Sequence, residues 1–348
     1  MGLQPTVSDV AGVAGVSRQT VSNVLNAPDL VRPETRERVT AAIRTLGYRP
    51  HASARRLRTQ KSSTIGIRLD PITQDGISGS ILDRFLHALT EQADRQGLRM
   101  LLFTAADPDD EIEQFRRLSD AADVDGFVLT STFHGDPRTE WLIENGQSFV
   151  TFGRPWGIDD MTDPEHLWVD VDGRSGVRDG TAHLLSRAGR RIGFVGWPSG
   201  SGTGDDRRAG WREAMLAGSG LPEEELELLD IAVEDGVTFG AEAIRRLEAQ
   251  AGELDGVVCA SDSLALGVLT AAGGRLPVVG YDDTPVAASL GFSSVAQQLD
   301  EVATGVLELL TGTHGGRVRP GEGLEDPRHR LVTPRLVVRD GPPLIGPR

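Results

Sequence analysis

The sequence predicts two kinds of fold in one chain. We expect a small all-α headpiece built on a helix-turn-helix, followed by a two-lobed α/β body with doubly wound parallel sheets. Three observations predict this. Two short capped helical patterns lie between Thr6 and Asn26. Short apolar runs alternate with helical patterns over residues 62–340. Positive charge is concentrated at the amino terminus, and negative charge in the remainder.

The helix-turn-helix prediction rests on caps and apolar spacing. Thr6-x-x-Asp9 and Ser17-x-x-Thr20 each place a hydroxyl where it can accept a hydrogen bond from a helix amino terminus. The spacing predicts one apolar stripe on each helix: Val10, Val13 and Ala14, then Val21, Val24 and Leu25. Only Ala14-Gly15-Val16 separates the two helices, which indicates a tight turn.

A third helix is predicted from Pro33, because proline is favoured in a first helical turn. Its inward positions would be Val39, Ala42, Ile43 and Leu46, which close a three-helix core.

The second helix has the side chains of a DNA reader. Arg18 and Gln19 stand at its amino-terminal end, and Asn23 follows Gln19 by one helical turn. Arginine pairs with guanine edges, and glutamine or asparagine pairs with adenine edges, when a helix enters the major groove.

The charge distribution supports this interpretation. Residues 1–61 contain ten basic and four acidic residues, whereas the remainder contains 26 basic and 47 acidic residues, for a formal net charge of -15 overall. A basic arm on an acidic body is typical of a DNA-binding module joined to a separate sensor.

The motifs TVSDVAGVAGVSRQTVSNVLN, ETRERV and ASARRL resemble the headpiece of the LacI/GalR (lac repressor) family of bacterial transcription regulators. The resemblance covers nearly the whole chain, and its body resembles periplasmic sugar-binding proteins. It implies a headpiece over residues 1–50 and a hinge over residues 51–61. It also implies DNA contacts from Thr6, Ser17, Arg18, Gln19, Thr20, Ser22, Asn23 and Asn26.

In that family the hinge becomes helical on operator DNA and its leucine wedges into the minor groove. Ala54 and Leu57 match those hinge positions, and Arg55 and Arg58 can meet phosphates. An ordinary flexible basic linker explains the same residues equally well.

The body is predicted to run over residues 62–340, with a flexible tail at residues 341–348. We expect the amino-terminal lobe at about 62–156 and 286–315, and the carboxy-terminal lobe at about 157–285 and 316–340. The first break between lobes would fall near Pro155–Asp163. Nine buried strands are expected, near residues 64–67, 100–103, 126–129, 148–152, 168–171, 192–195, 228–233, 257–260 and 277–280.

Polar residues follow several of these strands, where ligands of open parallel sheets bind. The resemblance implies that Arg207 binds ring hydroxyls, that Asp282 accepts a hydroxyl, and that Gln297 contacts the effector from a crossover segment. A turn cap for Asp282 and a surface ion pair for Arg207 are the alternatives. The other predicted effector-binding residues are Ile81, Leu82, Arg154, Trp197 and Ser261.

Three places in the predicted cleft depart from the family pattern. Ser261 stands where Asn is usual, Gly153 replaces a frequent Asp, and Ile81-Leu82 replaces an aromatic pair. Trp156 or Trp197 could supply stacking instead, or could pack on a lobe surface.

The remaining classes are disfavoured. The Gly200–Gly204 run lacks the Lys-Ser/Thr of a phosphate-binding loop, and the seven histidines lack metal-ligand spacing. We therefore expect no enzyme, cofactor or metal site. Cys259 lies in an apolar run and is expected to be a buried thiol. No export signal or membrane-length apolar segment is apparent, so a cytoplasmic, nucleoid-associated protein is expected.

The predicted function is a DNA-binding transcriptional regulator. It would repress carbohydrate-utilisation genes as a homodimer on a pseudo-palindromic operator, under the control of a sugar or oligosaccharide in the cleft between lobes. A nucleobase, nucleoside or protein co-regulator is the alternative within this class. A pure sugar-binding protein is the alternative from another class.

Overall fold

The computed structural model describes residues 5–48, 62–69, 79–157, 160–312 and 328–340. The chain divides into two compact units, Met1–Ser62 and Ser63–Arg348. The first is the helical headpiece and the second is the two-lobed body.

Three helices build the headpiece: α1 Val7–Ala14, α2 Arg18–Asn26 and α3 Pro33–Leu46. A capping box starts α1, because the Thr6 hydroxyl accepts from the Asp9 amide while the Asp9 carboxylate accepts from the Thr6 amide. Gly15 ends α1 in the left-handed conformation, at a φ of 64°. Such a turn favours glycine, so the predicted helix-turn-helix is confirmed.

The headpiece core differs from the predicted stripes at two positions. Val13 is 59% exposed and Leu25 is 36% exposed, whereas Ala11 is buried. The predictions for Val13 and Leu25 were wrong because the buried side of α1 runs through Val10, Ala11 and Ala14 and that of α2 through Val21 and Val24, which leaves Val13 and Leu25 at the edges of those buried sides. The buried core consists of Val10, Ala11, Ala14, Val21, Val24, Val39, Ala42 and Tyr48.

The body contains twelve described strands, which pair into two sheets. Their bounds are β1 Thr64–Leu69, β2 Arg99–Thr104, β3 Gly126–Leu129, β4 Phe149–Phe152, β5 Trp168–Val171, β6 Ile192–Gly196, β7 Asp230–Ala232, β8 Gly256–Cys259, β9 Val278–Tyr281, β10 Ser293–Ala296, β11 His329–Val332 and β12 Arg335–Val337. The first sheet has the order β11-β5-β4-β3-β1-β2, and the second has the order β12-β10-β9-β8-β6-β7. All pairs are parallel except β10 with β12.

Helices cover these sheets and explain their continuous apolar strands. The helices are α4 Gly79–Arg95, α5 Pro108–Asp120, α6 Pro137–Glu144, α7 Gly173–Arg187, α8 Thr203–Gly218, α9 Glu223–Leu228, α10 Val237–Ala251, α11 Asp262–Ala271, α12 Pro285–Leu290 and α13 Leu299–Gly312. Strands β3, β5, β6, β8, β9 and β10 are buried throughout, as expected when helices cover both faces of a parallel sheet. The predicted fold class is confirmed.

The lobe boundaries lie elsewhere than predicted. Strand β5 still belongs to the first sheet, so the chain first crosses between lobes at Asp172 rather than near Pro155–Asp163. It crosses back at residues 297–298, after β10, and a third time at residues 333–334, between β11 and β12. The predicted limits at 157, 286 and 316 were wrong because apolar periodicity identifies strands but not the sheet that each one joins.

Cys259 is fully buried, and burial raises the pKa of its thiol. Within the described ranges, no helix is long and apolar enough to cross a membrane.

Candidate nucleic-acid interface and effector cleft

The second headpiece helix presents the predicted base-reading side chains on its surface. Ser17 caps it, accepting from the Thr20 amide at 3.1 Å. Arg18 and Gln19 are exposed, and the Gln19 amide donates to Asn23 at 3.0 Å, so these two side chains share one face. An exposed amino-terminal half with paired amides is the surface that a recognition helix offers to base edges.

Several of the other predicted DNA-contact residues are less free to contact DNA, or lie outside the described residues. The Thr6 hydroxyl is engaged with Asp9, and Thr20 and Ser22 are half-buried. Asn26 is the last residue of α2. The hinge residues Ala54, Arg55, Leu57 and Arg58 lie outside the described residues, so their DNA contacts stay predictions.

A cavity of about 240 Å³ lies at the carboxyl ends of the strands, between the two lobes. It is lined by Ile81, Leu82, Thr130, Ser131, Thr132, Phe152, Gly153, Arg154, Asp170, Val171, Gly173, Thr203, Asp206, Arg207 and Gln297. Of the predicted effector residues, Ile81, Leu82, Arg154, Arg207 and Gln297 lie in this lining.

Arg154 forms an ion pair across the cleft. Its Nε donates to Asp170 of the first lobe at 2.7 Å, and its Nη2 donates to Asp206 of the second lobe at 2.7 Å. The three side chains are only 11–15% exposed. Burial raises the pKa of Asp170 and the Arg154 guanidinium opposes that rise. The centre of the Trp156 ring lies 4.3 Å from the guanidinium carbon. Arg154 therefore links the two lobes by charge, through one carboxylate from each lobe.

The glycine before Arg154 has a steric reason. Gly153 has a φ of 125°, and a Cβ there would lie 2.6 Å from the Thr132 hydroxyl. That hydroxyl donates to the Arg154 carbonyl at 2.8 Å. Any larger side chain would therefore meet both backbone strain and a clash in this conformation.

Arg207 is the centre of the second lobe's wall. Its Nη1 donates to the Ala260 carbonyl at 2.5 Å, and its guanidinium lies 3.6 Å from the ring centroid of Tyr281 and 5.1 Å from that of Trp197. Two aromatic rings and one carbonyl thus hold the charge in place at 5% exposure.

Asp282 and Gln297 form a second fixed pair. The Gln297 amide donates to the Asp282 carboxylate at 2.5 Å. Burial raises the pKa of Asp282 to about 7, against the lowering effect of Arg207. Arg84, from the first lobe, donates to the backbone carbonyls of Asp282 and Asp283 at 3.1 Å each. Since Asp282 and Asp283 both have positive φ, this contact supports a strained turn.

Trp197 and Ser261 lie behind Arg207, joined through Asp235. The Trp197 indole donates to Asp235 at 3.2 Å, and the Ser261 hydroxyl donates to the same carboxylate. Ser261 also caps α11. Neither Trp197 nor Trp156 is part of the cavity lining; Trp156 instead lies against the loop at Gly202, where a Cβ would come within 2.5 Å of the indole.

The sequence predictions missed Asp170, Asp206 and Asp235. Asp170 sits within an apolar run that was predicted as a strand, and Asp206 directly precedes Arg207, which was predicted to bind the effector. Whether each of these aspartates belongs to the cleft depends on the lobe that it joins, and the spacing of residues along the sequence does not reveal that.

The helix-turn-helix and the two-lobed body together define a DNA-binding transcriptional regulator. Residues 6–51 match the family described as bacterial regulatory proteins, lacI family, and residues 181–341 match the periplasmic binding protein-like domain. The chain is 34% identical over 323 residues to the HTH-type transcriptional regulator CelR of Thermobifida fusca, covering 89% of this chain and 93% of that protein. The chain belongs to the lacI family of bacterial regulatory proteins.

Solved structures agree with this placement. A lacI-family regulatory protein from Chloroflexus aggregans has 30% identity and a TM-score of 0.69, covering 80% of this chain and 98% of that one. A CelR–cellobiose complex has 29% identity and a TM-score of 0.66, covering 97% of this chain and 99% of that one. The lac repressor dimer on operator DNA, at 22% identity and a TM-score of 0.76, shares the fold, covering 97% of this chain and 99% of that one.

Proposed function

We propose that this regulator is a repressor of carbohydrate-utilisation genes, and that a sugar in the inter-lobe cleft controls its binding to operator DNA. An oligosaccharide is the proposed effector, with cellobiose as the first candidate. The CelR–cellobiose complex, a similar protein with that sugar bound, supports this choice.

The observation that carries the proposal is the polar lining of the cleft. Arg207 and Gln297 offer donors, and Asp170 and Asp206 offer acceptors, around a cavity that also has apolar sides at Ile81 and Leu82. Adjacent sugar hydroxyls need such paired donors and acceptors, whereas the sugar ring's C–H faces need apolar contact. A nucleobase would favour flat aromatic faces on two sides, and among the described lining residues Phe152 is the one aromatic side chain, since neither Trp156 nor Trp197 lines this cavity.

The cross-cleft ion pair supplies a mechanism. Arg154 joins the lobes through Asp170 and Asp206, so the arrangement of the lobes depends on charges that line the effector cavity. An effector that prefers one lobe arrangement shifts the population towards it. The effector then changes the affinity for operator by some factor, and the operator changes the affinity for effector by the same factor.

The DNA-binding part of the proposal involves two copies of the chain. A homodimer would place two α2 helices on two half-sites of a pseudo-palindromic operator, in the cytoplasm where the nucleoid lies. The hinge leucine Leu57 would enter the minor groove and Arg55 and Arg58 would meet phosphates. On this proposal Leu57→Ala weakens binding to the operator far more than binding to unrelated DNA.

The test is isothermal titration calorimetry of the full chain with cellobiose, other disaccharides, monosaccharides and nucleosides. Binding by a disaccharide, lost in Arg207→Ala while operator binding persists, is the expected result. Binding confined to nucleosides, or loss of operator binding in Arg207→Ala, would contradict the proposed effector or the proposed place of Arg207.

A further inference from the structure

Tyr281 ends strand β9 directly beneath the Arg207 guanidinium. Its side chain is fully buried, and the guanidinium carbon lies 3.6 Å from the centre of its ring. A phenylalanine would provide the same stacking face and the same volume. What tyrosine adds is one hydroxyl group in the wall behind the effector cavity.

That hydroxyl has no hydrogen-bond partner among the described residues, and the same is true of Arg207 Nε. Buried polar groups are nearly always paired, because leaving one unpaired costs free energy. Two unpaired donors on the same stacked pair of side chains indicate a group that is supplied from outside the chain. Arg207 lines the cavity and stacks on Tyr281, and Asp170 and Asp206, whose charges act on the phenol, line the same cavity, so a ligand would approach both groups from the effector side.

The nearby carboxylates accept from other side chains, and none of them is a hydrogen-bond partner of the Tyr281 hydroxyl. Burial raises the pKa of Tyr281, Arg207 opposes that rise, and Asp282, Asp170 and Asp206 add to it. Arg154 binds Asp170 and Asp206, and Gln297 binds Asp282. The phenol therefore stays protonated and keeps a proton to donate.

We propose that Tyr281 is a specificity-determining residue of the effector site. Its hydroxyl and Arg207 Nε donate to one hydroxyl oxygen of the sugar, which has two lone pairs to accept both. The inference rests on the proposed sugar effector and goes further, because it assigns recognition of a single hydroxyl to a residue behind the cavity lining. A site built to bind a hydroxyl discriminates strongly against a ligand that lacks it.

Tyr281→Phe tests this with the smallest possible change. We expect the dissociation constant for cellobiose, measured by calorimetry, to rise about tenfold, as loss of one buried hydrogen bond predicts. Thermal stability of the ligand-free protein should stay the same or rise, since the hydroxyl has no partner among the described residues, and operator affinity without sugar should be unchanged. The chain's one other tyrosine gives the control: Tyr48→Phe, in the headpiece core, should leave cellobiose binding as in the wild type.

Monodeoxy derivatives of cellobiose identify the sugar atom. One of them should bind the wild type more than tenfold more weakly than cellobiose, because it loses the hydrogen bonds from both Tyr281 and Arg207, yet bind wild type and Tyr281→Phe equally. Equal cellobiose dissociation constants for wild type and Tyr281→Phe would overturn this inference alone. Absence of sugar binding by the wild type would overturn the proposed function and this inference with it.

Discussion

Asp206→Asn breaks the charge link between the lobes with little change in shape. The asparagine keeps an oxygen that can accept from Arg154 and from the Arg174 amide, which lies 3.0 Å from the present carboxylate. Only the negative charge is lost. Arg154 and Asp206 are 11% and 15% exposed, which places the pair between a surface ion pair and a buried one.

The expected size follows from that burial. Exposed pairs contribute about 0.2–1 kcal/mol, and breaking a fully buried pair costs about 3–5 kcal/mol. For this pair we expect about 1–2 kcal/mol, which corresponds to about a 5- to 30-fold change in an equilibrium constant. If the linked arrangement is the one that binds effector, the mutation lowers its population and raises the apparent dissociation constant for cellobiose, by at most that factor.

Calorimetry of the wild type, Asp206→Asn, Arg154→Gln and the double variant forms a complete mutant cycle. The coupling energy between the two sites should be about 1–2 kcal/mol. Asp179→Asn is the matched control, because Asp179 lies in the same lobe in a pair whose side chains are 43% and 60% exposed. Unchanged cellobiose affinity in Asp206→Asn, or zero coupling with Arg154→Gln, would refute the role of this pair.

Three further changes test other parts of the structure. Asp282 has a folded-state pKa of about 7, above the ordinary value of 3.8, so the folded state binds the extra proton and the free energy of unfolding should fall as pH rises from about 4 to about 7. In thermal unfolding, Asp282→Asn should reduce that fall, whereas Asp300→Asn, at an exposed position, should not. An unaltered pH profile for Asp282→Asn would be inconsistent with the raised pKa. Gly153→Ala places a Cβ 2.6 Å from the Thr132 hydroxyl at a φ of 125°, so denaturant unfolding should show a loss of about 1–3 kcal/mol, and a neutral result would refute the steric account. Thr6→Ala removes the capping box of α1 and should lower hydrogen-exchange protection of that helix by about 1 kcal/mol. Ser8→Ala, also at an exposed position, should have a much smaller effect, and equal effects of the two changes would argue against the cap.

The headpiece and the strands were predictable because their signals are local. A capping hydroxyl, a glycine turn and a buried apolar run each act within a few residues, and the sequence predicted all nine of the strands that read as apolar runs. Strands β10, β11 and β12 were not predicted, because Ser293–Ala296, His329–Val332 and Arg335–Val337 mix polar and apolar residues. Their pairing depends on neighbours from distant parts of the chain.

The site was predictable only in part, for a related reason. The resemblance to the family singled out Arg207, Asp282 and Gln297, and position supports two of them, because Asp282 and Gln297 each stand directly after a strand. The partnerships that define the cleft, such as Arg154 with Asp206, join residues from different lobes. Trp197 illustrates the limit: its place beside a strand end suggested ligand stacking, but its ring faces Arg207 and its indole binds Asp235.

The central claim is that a sugar in the inter-lobe cleft controls DNA binding by the headpiece. It is tested most directly by selecting an operator duplex from random DNA with the full-length protein, then measuring operator affinity by fluorescence anisotropy with and without saturating cellobiose. The account predicts a change of about 5- to 150-fold in the dissociation constant for operator, lost in Arg207→Ala. The same operator affinity with and without every sugar that binds the protein would contradict it.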